Sequence, residues 1–287
     1  GLEKGPDVGY RSGEFGTFGS EIHKQLGIEQ PETQEVVNEL MRVMGNRPNA
    51  QLLNYWIANS GPDLDWYIGT AEHELLTSDH DTPTDPEKPY VFPERCPVNE
   101  NYNWREENYP CFPGMVHLLP DHGWAMHGTL EAAQAAGAEA RFNVKGEQLI
   151  KEGDRVTGVY ASDEDGNIIR VNAKLGVVLS TGDISSNTKM LTYYAPQATK
   201  YGVFFSSMDK EGKPVNQGDG HRMAIWAGAV MEDGPYAPMT HSLGTNSIGI
   251  NPYLMVNQDG QRFANEDVGA QELQNAIKRQ KGGVSYQ

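Results

Sequence analysis

Leu254-Met255-Val256-Asn257-Gln258-Asp259-Gly260-Gln261-Arg262-Phe263-Ala264-Asn265-Glu266 is the most specific string in this chain. Apolar residues run into Gln-Asp-Gly, the residues of a tight turn, and resume at Phe263, so residues 253–263 read as a β-hairpin. A helix is expected after it, over 267–279. Arg262 is a bidentate donor four residues before the acceptor Glu266. The two read either as an ion pair fixing the hairpin to that helix, or as a catalytic arginine beside its partner. Three shorter segments stand upstream in order: Leu2-Glu3-Lys4, Thr181-Gly182 and Gly218-Asp219-Gly220.

Between these markers the chain alternates helical and extended patterns. Val36, Val37, Leu40, Val43 and Met44 fall at helical spacing across 32–44, before Gly45-Asn46 and Pro48. A second helix is expected over 51–59, burying Leu52, Leu53, Trp56 and Ile57, and a short third one with Asp63 as N-cap and Trp66 and Ile68 facing inward. Residues 70–124 hold many prolines and aromatics without a sustained period, and read as an ordered flap or as an irregular surface insertion. The Ala-rich run 123–137 ends on Gly137 and reads as a glycine-capped helix. Short strands follow at 140–144, 148–151, 156–161 and 168–173, the last two joined by the turn at 163–167, which makes a small antiparallel meander. Gly176-Val177-Val178-Leu179-Ser180 lacks alternation, the pattern of a strand buried on both faces of a parallel sheet. Ser186 or Asn187 is expected to cap the next helix, and another begins near Gly220 and stops at Gly228.

The 287 residues suffice for one large or two ordinary domains. With 23 Lys plus Arg against 39 Asp plus Glu, the formal charge is −16. Such a chain repels phosphate backbones and anionic lipid surfaces, which argues against nucleic acid as a partner. No stretch offers the roughly 18–20 uninterrupted apolar residues of a spanning helix. Cys96 and Cys111 make neither a disulfide framework nor a metal site by themselves, and His117, His122 and His127 lack the flanking ligands of a zinc site, so no metal is expected. The sequence is silent on localisation.

In order and spacing the four segments resemble the FAD-binding flavoproteins of the fumarate reductase and succinate dehydrogenase type. That resemblance implies an α/β fold: a doubly wound FAD/NAD(P)-binding sheet with a small antiparallel meander over 1–232, then the start of a substrate-capping α+β domain over 233–287. No strand with Gly-x-Gly-x-x-Gly stands before Leu2, so the chain reads as an interior piece lacking the phosphate-binding turn, and it is expected to hold FAD weakly or not at all. The residues the resemblance assigns to the cofactor are Glu3, Lys4, Ser12, Thr17, Val144, Thr181, Gly182, Asp219 and Gly220. Glu3 would accept hydrogen bonds from a ribose diol. Two departures stand out, Tyr10 where a second glycine is common, and Asp183 in place of the second glycine of Thr-Gly-Gly.

The implied activity is FAD-dependent transfer of a hydride to or from a carbon-carbon double bond of a small organic substrate, with an electron-donor protein as a possible partner. Fumarate-reducing members protonate substrate through an arginine four residues past the glutamate of the last motif, where this chain has Ala270. Neither Arg nor Lys occurs between Arg222 and Arg262, so a substrate-clamping arginine of that region has no counterpart. Dicarboxylates need such clamps, which favours a less charged, aromatic or steroid-like substrate. The candidates for catalysis are His241, Thr245 and Arg262. His241 is either a proton donor at neutral pH or a hydrogen-bonded loop histidine. The other reading of the whole chain is a degenerate or truncated flavoprotein domain that binds ligand or partner without catalysis.

Overall fold

The computed structural model describes residues 13–77, 83, 85, 88–94, 114–201, 208–209, 211–232, 236, 254–266 and 270–286. The chain divides into two compact units, Gly1–Asn143 and Val144–Gln287.

The first unit contains β1 (Glu14–Gly16), α1 (Glu21–Gln25), α2 (Thr33–Val43), α3 (Ala50–Ile68), β2 (Glu74–Leu75), β3 (Tyr90–Glu94), β4 (Met115–Leu119) and α4 (Gly123–Ala135). Its sheet has the order β1-β4-β3-β2, antiparallel except for the β2–β3 pair. Alternation decides the faces: Val116 and Leu118 of β4 are fully buried with Val91 of β3, against Ile22 of α1, Leu64 and Ile68 of α3 and Ala125 of α4. A second cluster joins Val36 and Val37 of α2 to Ile57 of α3 and to Phe18.

The helix expected over 32–44 is α2. The pair expected at 51–59 and from Asp63 is instead a single helix, α3, which runs through Pro62. Proline removes one backbone donor, and the flanking turns carry the helix past it because Ile57, Leu64 and Ile68 bury one continuous stripe. Asp63 is therefore an interior helical residue, and Trp66 and Leu52 face solvent, each 67% exposed. Three strands, β2, β3 and β4, occur within the stretch expected to lack regular structure. Pro93 escapes a strand reading on sequence. In the sheet it is tolerated because the carbonyls of Pro89 and Val91 point to β2 (Glu74 N to Pro89 O 3.0 Å, Leu76 N to Val91 O 2.9 Å), so Pro93 turns its missing donor to the same side, beyond the end of β2.

The second unit contains β5 (Lys145–Glu152), β6 (Arg155–Ser162), β7 (Ile168–Asn172), α5 (Thr188–Tyr194), α6 (Pro196–Tyr201), α7 (Asp219–Trp226) and α8 (Ala270–Lys278). The antiparallel β5-β6-β7 sheet is the expected meander, its second turn fastened by Asp163, whose carboxylate accepts the Asn167 amide at 2.8 Å. Residues 140–144 form no strand. Nor do residues 176–180: no described strand flanks them, and Val178 is 89% exposed, so the apolar run has no sheet to be buried in. The hairpin 253–263 reduces, in its described part, to a Val256–Arg262 bridge closed by the Gln258–Gly260 turn. Val256 also bridges to Tyr286. Met255 packs with Leu273 and Ile277 of α8 beneath it.

Candidate functional site

In the second unit two loops interlock beside α7; the candidates Thr181 and Gly182 lie on the first, and Asp219 and Gly220 open the helix that follows the second. The first loop carries Thr181, Gly182 and Asp183 and runs into α5. Asn187 caps that helix by accepting the Met190 amide at 3.1 Å, and its own amide group donates to Gln217 O at 2.9 Å. The second loop runs from Asn216 to Gly218 and starts α7. Backbone bonds braid them: Ser186 N donates to Asn216 O at 3.2 Å and Gly218 N to Asp183 O at 3.1 Å, while Gln217 Nε2 donates to Ser186 O at 3.0 Å.

At this crossing there is no room for side chains. A Cβ on Gly220 would stand 1.9 Å from Thr181 Oγ1, and one on Gly182 2.4 Å from Asn216 Oδ1. Gly182 also has φ +74°, a left-handed backbone that any other residue adopts at a cost. Gly218, the N-cap of α7, lies against Met190 Sδ, 2.6 Å from where its Cβ would be. The chain thus brings the Thr181 side chain onto Gly220 and the Asn216 side chain onto Gly182. The first N–H groups of α7 have no acceptors within the helix, so this end suits polar or anionic groups.

Asp219, the first residue of α7, is ion-paired with Arg222. Asp183 keeps the loop in shape: its carboxylate accepts the Ser185 amide at 2.7 Å. Val144 is half-buried immediately before β5, whose Gly146 lies opposite Met223 of α7: a Cβ there would stand 3.5 Å from Met223 Cε. Thr17 lies in the first unit, just after β1. It is buried, and its hydroxyl has no hydrogen-bond partner. Glu3, Lys4, Ser12, His241 and Thr245 lie outside the described residues, as do Cys96 and Cys111.

Arg262 and Glu266 form the ion pair that their spacing allows. Nε donates to both carboxylate oxygens at 3.2 and 3.0 Å and Nη2 to one at 2.5 Å, and Glu266 also accepts the Met255 amide at 3.0 Å. The guanidinium, then the Met255 N–H, hold the Glu266 carboxyl down to about 2. The carboxylate is buried and the arginine 58% exposed, beside an open depression of about 500 Å³ lined by Arg262, Phe263, Ala264 and Asn265. Among the described residues no three His, Cys, Asp or Glu side chains group to hold a metal, and no helix is long and apolar enough to cross a membrane.

Asn216 and Gln217 are the residues of this site that pattern reading misses. The signal available was Asn216-Gln217-Gly218, a turn string directly before the helix start. Asn216 has φ +57°.

Loops closing beside a helix N-terminus suit the polar groups of a nucleotide cofactor. The chain belongs to the FAD binding domain family, whose model matches residues 35–286. It is 28% identical over 149 residues to NADH:fumarate oxidoreductase of Klebsiella pneumoniae (strain 342), a match covering 50% of this chain and 16% of that protein. Its fold resembles the open conformation of a flavocytochrome c3 fumarate reductase, at 19% identity and TM-score 0.58, over 96% of this chain and 44% of that one. It also resembles the 3-ketosteroid-delta4-(5alpha)-dehydrogenase of Rhodococcus jostii RHA1, solved with 4-androstene-3,17-dione, at 18% identity and TM-score 0.62, over 97% and 56% of the two chains. The chain therefore spans well under two thirds of each of these relatives.

Proposed function

We propose that this chain is the flavin-holding part of an FAD-dependent oxidoreductase that passes a hydride to or from a carbon-carbon double bond of an organic substrate lacking paired carboxylates. The observation that supports the reading is the close seating of the Thr181-Gly182 loop beside the N-terminus of α7, where Thr181 takes the space that a side chain at 220 would need. FAD, when bound, supplies the hydride exchange. The chain's own part is to bind and orient. Gly182 and Gly220 let the two loops close on one another, the α7 N-terminus receives polar or anionic groups, and Val144 would contribute from the start of β5. The scarcity of cations from 223 to 261 and the commitment of Arg262 to Glu266 support an uncharged substrate over a dicarboxylate. We assign the residues from about 233 onward to the start of a substrate-capping domain.

Arg262 held by Glu266, with Ala270 where fumarate-reducing members carry an arginine, favours a second reading, flavin or ligand binding without catalysis. Incubation with FAD, removal of free cofactor and an absorbance spectrum test the first step. Flavin bands retained by the full-length protein and lost in its Gly220→Ala variant are expected, with this chain alone holding FAD weakly or not at all. Flavin retained equally by protein and variant would refute the reading. Flavin that is bound but never reduced or reoxidised by steroid-like enones would favour binding alone.

A further inference from the structure

His23 is wholly buried in α1, and its ring has a single partner, Ser20 Oγ, at 2.8 Å from Nδ1. The other nitrogen, Nε2, is buried with no hydrogen-bond partner. Ser20 is also the N-cap of α1 and closes the loop 17–20. That loop is pinned on three sides: Thr17 N donates to Gly114 O at 2.9 Å, Phe18 N to Ser60 Oγ at 3.1 Å and Gly19 N to Gln30 Oε1 at 2.9 Å. Its backbone lies directly on Gly61 of α3, where a Cβ would meet Phe18 O at 2.3 Å.

From this geometry we infer that His23 is an acid-sensitive latch, whose protonation undocks α1 and the 17–20 loop from α3 and β4. A protonated ring has two donors, Ser20 can take only one, and a buried N–H⁺ without an acceptor is a large penalty. Burial alone holds the imidazole neutral, down to about 4. The ionisable groups on elements packed against α1 do not relieve it. Lys24 and Glu21 of α1 pair with each other, the Asp65 carboxylate of α3 is spent on the Glu21 amide, and Tyr67 of α3 bonds His122. Tyr55 and Asp63 of α3 and Tyr90 of β3 are the others whose side chains are described, and none bonds Nε2. The Asp65 carboxyl is raised by burial, so its protonation in acid favours the folded state and opposes rather than imitates the release.

The test is amide hydrogen exchange of the FAD-free chain from pH 7 to 4, with protection factors corrected for the intrinsic rate. The Thr17, Phe18 and Gly19 amides are expected to lose about tenfold protection per pH unit below about 6.5, while His23→Gln stays flat. Equal loss in His23→Gln overturns the latch, as does flat protection in the wild type. If the variant fails to fold, the His23 ring carbon resonances decide. Titration near 6.5 with the loop still protected overturns the proposal, and titration only together with loss of protection sustains it. Because no flavin is present, the outcome does not depend on the assigned function.

Discussion

Replacing Gly182 by alanine should cost this protein much of its stability. Two effects act at once. The residue has φ +74°, and a left-handed backbone costs an L-residue about 1–2 kcal/mol. The new methyl also falls 2.4 Å from Asn216 Oδ1 and 3.0 Å from its Cγ, and forcing such overpacking costs about 1–3 kcal/mol. Together they amount to about 2–5 kcal/mol, against a total stability of about 5–15 kcal/mol for an ordinary domain. Urea unfolding followed by circular dichroism reads the loss. With a slope near ~3 kcal/mol per molar, the midpoint should fall by about 1 M. Asn216→Gly separates the causes, because it removes the obstructing side chain and leaves the Gly182 backbone alone. The double variant should recover the overpacking part and keep only the conformational penalty, a coupling that a double-mutant cycle measures. A Gly182→Ala midpoint within error of wild type would refute the crossing, and failure of Asn216→Gly to rescue would show that the two loops do not press on one another there.

Gly61→Ala should destabilise the first unit by about 1–3 kcal/mol, because its Cβ meets backbone of Phe18, Gly19 and Ser20, which cannot rotate away; a chemical denaturation series checks this. His23 makes global stability fall in acid. Its folded value near 4 lies below the unfolded 6.5, so the unfolded chain binds more protons between them, stability rises with pH across that window, and acidification from 6.5 to 4 removes about 3 kcal/mol by linkage. Thermal melts across pH 7 to 4 should show that slope, and it should disappear in His23→Gln. Glu266 acts lower. Its carboxyl is held below its usual value, so its contribution is full above 4.5 and is lost as pH falls toward 2. Glu266→Gln should lower the melting temperature at pH 7 and flatten the acid limb between 4.5 and 2; an unchanged limb would mean that the pair with Arg262 does not persist in solution.

Much of this protein is written locally. The apolar stripe of α2, the Asn187 cap, the Gly137 and Gly228 helix ends, the Gln258–Gly260 turn and the Arg262–Glu266 spacing each involve residues within a few positions of one another. Side-chain period and turn chemistry act at that range, so they are legible in the string. What the string hides depends on distant partners. Pro62 lies inside α3 and Pro93 inside β3 because of what lies beside them, a buried stripe in one case and the end of β2 in the other. The run at 176–180 has the composition of a buried strand and remains exposed, since burial is a property of neighbours and not of the segment. The motifs at 181–182 and 218–220 were visible as motifs. That Gly220 must be glycine because Thr181 occupies its side-chain space, and Gly182 because Asn216 does, only the tertiary structure decided, because a steric exclusion between residues more than thirty positions apart has no sequence period to announce it.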